Sequence, residues 1–216
     1  MNKTKIEWCD YTWNPIRGYC PNDCPYCYAH RMYNRFGWDK TIRLDEKEIE
    51  APAKLKKPSR IFVGSMIEMY HSKIPPRFVL KVIEASILAP HHTYITLAKF
   101  PERMGGLYDL PKNWWTGVTV EGEHSMSRLY YLKHTVGHIE FVSFEPLLSP
   151  IMWGYLPGIL HSLSWIIIGG LTPKPAHKKE WIDDIVQCAD KLGIPVFIKD
   201  NAHYPIKRQE FPKEKK

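Results

Sequence analysis

The chain is predicted to adopt an α/β fold, a partial (β/α)6 TIM-like barrel formed as a single domain. Short apolar runs rich in β-branched and aromatic residues alternate with amphipathic helical stretches along most of its length. Six or seven such units follow one another, which suits a barrel or partial barrel better than a flat dinucleotide sheet. Neither G-x-G-x-x-G nor G-x-x-x-x-G-K-[ST] occurs, so no nucleotide fingerprint accounts for the strands.

The elements can be justified in order. The β-formers of Trp8–Ile16 make a first strand, turned by Asn14-Pro15. A helix runs from Tyr28 to Phe36 and stops at Gly37. The polar stretch from Trp38 to Ser59, with Lys54, Lys56 and Lys57 before Pro58, reads as a surface excursion. Strands follow at Arg60–Ser65, Thr93–Leu97, Trp114–Val120, Ile139–Phe144, Trp165–Gly170 and Pro195–Lys199. Helices fill the gaps at Pro75–Leu88, from Pro101, around Ser125–His134 and at Lys179–Leu192. Residues 1–206 form the core domain, and the charged residues 207–216 read as a frayed tail.

With 216 residues, 44% of them hydrophobic, the chain can bury a core. It has no apolar run long enough to cross a membrane and no apolar leader, so a cytoplasmic protein is expected. A net charge of +7 favours an anionic partner, nucleic acid being the obvious one.

Three of the five cysteines, Cys20, Cys24 and Cys27, fall within eight residues as C-x3-C-x2-C. A [4Fe–4S] cluster usually takes four thiolates, so three would leave one iron open to a ligand that is not protein. Zinc is the alternative, with His30 as fourth ligand, although structural zinc sites more often use two separated pairs. Three crowded cysteines cannot all pair as disulfides, and nothing points to an oxidising compartment.

The C-terminal ends of parallel strands are where a barrel builds its site. Here those ends hold Ser65, Met66 and Glu68, then Lys99, Thr119 and Glu121, Glu145, Gly169 and Gly170, and Lys199 with Asp200. Lys99 could neutralise a carboxylate or meet a substrate phosphate. Glu145, fixed by Pro146 after an apolar strand, is expected to face a ligand. Cys188, in an amphipathic helix, reads as a small core residue, and Cys9 reads as packing or as a thiol hydrogen-atom donor.

The cysteine spacing, with Tyr26 before the last cysteine, resembles the cluster loop of the radical S-adenosylmethionine (SAM) enzymes. Ile6–Pro15, Cys27-Tyr28-Ala29, Phe62–Met66, Phe144–Leu148 and Trp165–Gly170 extend the resemblance, most closely to a phage-associated radical SAM family and more distantly to spore photoproduct lyase. It implies a [4Fe–4S] cluster on Cys20, Cys24 and Cys27, and SAM on the open iron. It also implies a reducing partner such as flavodoxin or ferredoxin. SAM would be cleaved to methionine and a radical that takes hydrogen from a substrate. The resemblance places Gly64-Ser65 at the SAM amino group, where the family usually has Gly-Gly-Glu. It places Thr119 or Glu121 at the ribose or carboxylate and Tyr26 near the adenine. Gly169 and Gly170 would let the backbone approach a flat ring.

A radical SAM enzyme acting on a nucleic-acid base, in repair or modification, is therefore the expectation. Trp114-Trp115 is the foremost aromatic pair for stacking on an unstacked base. The competing readings are radical SAM modification of a peptide or protein, and a zinc-stabilised nucleic-acid-binding module.

Overall fold

The computed structural model describes residues 1–104, 110–132, 139–153 and 162–213. The chain divides into two compact units, Met1–Trp114 and Trp115–Lys216. Both are α/β with parallel strands at the centre of the sheet, and among the described residues neither unit closes into a barrel. The expected single domain thus has two centres of packing.

In the first unit the sheet order is β1 (Asn2–Lys3), β2 (Tyr11–Trp13), β5 (Arg60–Val63), β6 (Thr93–Ala98). β2, β5 and β6 are parallel, with Trp13 opposite Val63 and Val63 opposite Thr96; β1 runs antiparallel at the edge. A separate antiparallel pair joins β3 (Ile16–Arg17) to β4 (Arg43–Leu44). Helix α1 (Tyr28–Phe36) matches the expected span and ends at Gly37. The expected surface excursion also holds two one-turn helices, α2 (Glu46–Ile49) and α3 (Ala51–Lys54). They escape a periodicity search because four residues cannot show a period. What marks the start of α2 is Asp45, whose carboxylate accepts from the Lys47 and Glu48 amides.

Helix α4 (Pro76–Ile87) buries Val79, Val82, Ile83, Ala85 and Ser86. The Ser86 hydroxyl accepts from Trp114 Nε1 at 2.8 Å, and the Trp114 ring stacks on Tyr94. Burial raises the Tyr94 phenol well above its ordinary range, and its hydroxyl donates to the Ala89 carbonyl.

In the second unit the order is β7 (Trp114–Thr119, entering from the first unit at Trp114), β8 (Ile139–Phe144), β9 (Trp165–Ile168), β10 (Val196–Ile198), with the β7–β8, β8–β9 and β9–β10 pairs parallel. A 3-10 turn (Glu123–Arg128) leads into α5 (Leu129–Leu132), and α6 (Lys179–Leu192) covers its expected span. The rest of the helix expected to His134 lies outside the described residues.

Two expectations are corrected here. The terminal segment does not fray as far as Lys213. Gln209 bridges Phe197, the Glu210 carbonyl accepts from Trp165 Nε1, and Phe211 packs on Trp165 and Phe197. Its charges misled the reading because the anchoring groups are backbone atoms and one aromatic ring. Residues 214–216 lie outside the described residues. Trp114 and Trp115 are not available to a base either: they are 0% and 6% exposed, packed on Tyr94 and Trp165 respectively.

Candidate metal and cofactor site

Three loops of the first unit meet at the C-terminal ends of its parallel strands. The cysteine loop comes after β3 and leads directly into α1, with Cys27 as the residue before its first turn. The loop is closed by its own backbone: Cys24 N–H donates to the Asn22 carbonyl and Cys27 N–H to the Cys24 carbonyl, each at 3.0 Å. None of the three is in a disulfide; Cys20 is buried and the other two are half-buried. Two sulfurs already receive N–H donors: Glu68 N–H points at Cys20 Sγ (3.2 Å) and the Asn22 amide at Cys24 Sγ (3.3 Å). Burial pushes the Cys20 thiol up to about 11, against the lowering effect of the Glu68 and Asn22 backbone N–H groups.

The loop after β5 is Gly64–Glu68. Gly64 has φ +76°, where any other side chain would be strained, and this turns the chain from the strand into the site. Asn14, just past β2, accepts from the Ser65 hydroxyl (3.2 Å) and from Met66 N–H (3.0 Å), so the ends of β2 and β5 are tied together. Tyr28 of α1 donates to the Ser65 carbonyl at 2.6 Å. Glu68 is 8% exposed and joins all three loops: its N–H meets Cys20, Oε1 accepts from Tyr70 N–H (3.2 Å), and Oε2 accepts from Lys99 N–H (2.7 Å). Lys99, at the end of β6, sends Nζ to the Tyr26 hydroxyl at 2.9 Å. Of the predicted residues, Cys20, Cys24, Cys27, Tyr26, Gly64, Ser65 and Lys99 thus belong to one constellation. Asn14 and Glu68 complete it. Asn14 read as a turn residue, and Glu68 was one strand-end residue among many. The polar group just past each parallel strand was the available signal for both.

Cys9 lies elsewhere. It is buried ahead of β2, with its N–H on the Ile6 carbonyl, so the length of that strand, about 10 Å, separates it from Asn14.

In the second unit the predicted residues are engaged by neighbouring side chains. Glu121 is 4% exposed and its Oε2 accepts from Arg128 Nη1 at 2.6 Å; the same nitrogen donates to the Thr119 carbonyl. Glu145 forms an ion pair with Lys199, and Asn201 clasps Gly170 by donating to its carbonyl and accepting from its N–H. Neither glycine leaves room for a side chain. A Cβ on Gly169 would fall 2.7 Å from the Glu145 carboxyl carbon, and one on Gly170 would fall 2.5 Å from the Asn201 carbonyl oxygen.

The donor set can be tested against the two groups considered for it. Zinc would gather four ligands on one ion. Among the described residues no three His, Cys, Asp or Glu side chains are grouped that way, and His30 directs Nε2 to the Cys20 carbonyl at 2.9 Å. An iron–sulfur cluster asks less convergence, since each thiolate meets its own iron, and N–H donors to the sulfurs suit it. Three cysteines outside any disulfide, with two N–H···S contacts, fit the cluster.

An α/β unit with a three-thiol loop above its parallel strands is the class of structure the geometry defines. The fold is similar to a spore photoproduct lyase double mutant solved with bound AdoMet and a dinucleoside spore photoproduct: TM-score 0.53, 12% identity, 88% of this chain covered and 63% of that one. The chain therefore spans less than two thirds of that protein's length. It belongs to the family described as protein of unknown function (DUF5131), whose model matches residues 3–216. No curated protein matches it. Among the described residues no helix is long and apolar enough to cross a membrane.

Proposed function

We propose that the protein is a radical SAM enzyme that takes hydrogen from a nucleic-acid base. The observation behind this reading is the joining of the cysteine loop, the loop after β5 and the end of β6 through Glu68 and Lys99. Cys20, Cys24 and Cys27 would hold a [4Fe–4S] cluster, and bound cluster and SAM would supply the radical chemistry. The chain's part is to bind and orient. The Glu68 and Asn22 N–H groups stabilise negative sulfur at Cys20 and Cys24. Asn14 fixes Ser65 and the Met66 amide, the polar edge on which the amino group of SAM would be received. Lys99 locks Tyr26, so the loop's aromatic ring is held in place before the adenine arrives. A flavodoxin- or ferredoxin-like donor would provide the electron.

The likeness to a lyase solved with a dinucleoside spore photoproduct and the +7 charge support a nucleic-acid substrate. The test is anaerobic turnover with deuterium-labelled DNA, RNA and peptide pools in turn. Deuterium in 5′-deoxyadenosine from DNA or RNA is expected. Deuterium from the peptide pool alone would overturn the nucleic-acid assignment while leaving the reaction class intact.

A further inference from the structure

We infer that the exposed face of α1 is where an unpaired nucleic-acid strand docks, its phosphates on Arg31 and Arg35 and a base on the Phe36–Trp38 pair. The inference rests on the nucleic-acid reading above and adds the surface that would bring the strand to the site.

Helix α1 carries no carboxylate and turns Ala29, His30 and Tyr33 inward. Arg31 and Arg35 are left outward, one turn apart and about 6 Å along the axis, within reach of successive phosphates. Arginine's planar fork suits phosphate oxygens. Arg17, Arg43, Arg128 and Arg208 all pair with carboxylates, whereas neither Arg31 nor Arg35 has an ion pair among the described residues. The carboxylates nearest in sequence are Asp23, beside His30, and Asp39, which is engaged by Arg43 and by Thr41 N–H.

At the C-terminal end of the helix, two large rings are exposed. Phe36 and Trp38 are 54% and 42% exposed, stacked at 5.3 Å and 21°. Trp38 is oriented by an edge contact with buried Tyr33, and the Arg35 guanidinium lies 5.3 Å over Phe36. Rings left so exposed forgo burial that a stacked base would supply. Cations interleaved with fixed aromatics form the arrangement that holds single strands, charge gripping the backbone and rings accepting any base. Because α1 starts right after Cys27, a strand on this face runs up to the cysteine loop.

The experiment uses the full chain, purified anaerobically, with short fluorescein-labelled oligo-dT and oligo-rU followed by anisotropy across a salt series. Arg31→Ala/Arg35→Ala is expected to flatten the log–log salt slope by about 1 to 1.5. Trp38→Ala is expected to weaken binding about fivefold or more with the slope unchanged. Lys56→Ala/Lys57→Ala, on an exposed stretch elsewhere, serves as the charge control; retained brown colour reports that each variant holds its cluster. Binding lost equally in the control, or retained in the α1 variants, overturns the surface while leaving the nucleic-acid reading standing. No binding of either oligonucleotide by the unaltered chain overturns both, and SAM cleavage in the same preparation then shows whether the radical SAM assignment survives. Tighter binding to anionic vesicles, lost with the same arginines, also overturns it.

Discussion

Glu68 is the residue on which the first unit's site converges, because one buried side chain serves two loops while its own N–H serves a third. Glu68→Ala would leave the Tyr70 and Lys99 amides without acceptors. A loss of roughly 1–3 kcal/mol for each orphaned group is expected in urea unfolding; an unchanged midpoint would show that water replaces the carboxylate. Gly169 makes the complementary point about space. Gly169→Ala should destabilise by about 1–3 kcal/mol through overpacking, and Glu145→Ala should relieve most of that cost in the double variant. Additive losses would mean that the Glu145 side chain is not what excludes the methyl group. The cysteine triad and Tyr26 were legible in the sequence because ligand spacing is local. The long-range partners of Tyr26, Glu68 and Gly169 were not, because they are far off in sequence and are set only by how strands pair.

At the scale of elements, legibility followed length and periodicity. Helices α1, α4 and α6 and the buried strands announce themselves through apolar spacing. The two-residue strands β1, β3 and β4 carry no pattern to read. The terminal segment shows how charge misleads: Arg208 pairs with Asp190 and Glu210, and Glu210 also accepts from Val196 N–H. Burial opposes ionisation of Glu210, yet the Arg208 hydrogen bond and that N–H outweigh it and hold the carboxyl below its ordinary 4.5. A depressed carboxyl adds stability that is complete above its unfolded value and lost as pH falls through its folded one. Anchoring of residues 207–213 should therefore weaken on acidification below about pH 4.5, seen as a smaller protection factor (exchange relative to the unstructured amide at the same pH) at Ile198, whose N–H donates to the Arg208 carbonyl. Glu210→Gln should remove that pH dependence; a protection factor indifferent to pH in the unaltered chain would contradict it.

For the whole molecule, the alternation of strands and helices made the α/β class readable, while the two packing centres were not. Their boundary falls inside β7, between two adjacent tryptophans, where composition does not change. The functional account depends on the thiol loop holding an iron–sulfur group that cleaves SAM. The most direct measurement is iron and sulfide content together with 5′-deoxyadenosine formation, after anaerobic reconstitution and reduction, for the unaltered chain and Cys24→Ala. The account predicts about four irons and four sulfides per chain with SAM cleavage, and neither in the variant. A colourless protein holding a single zinc, or cleavage that persists in Cys24→Ala, would contradict it.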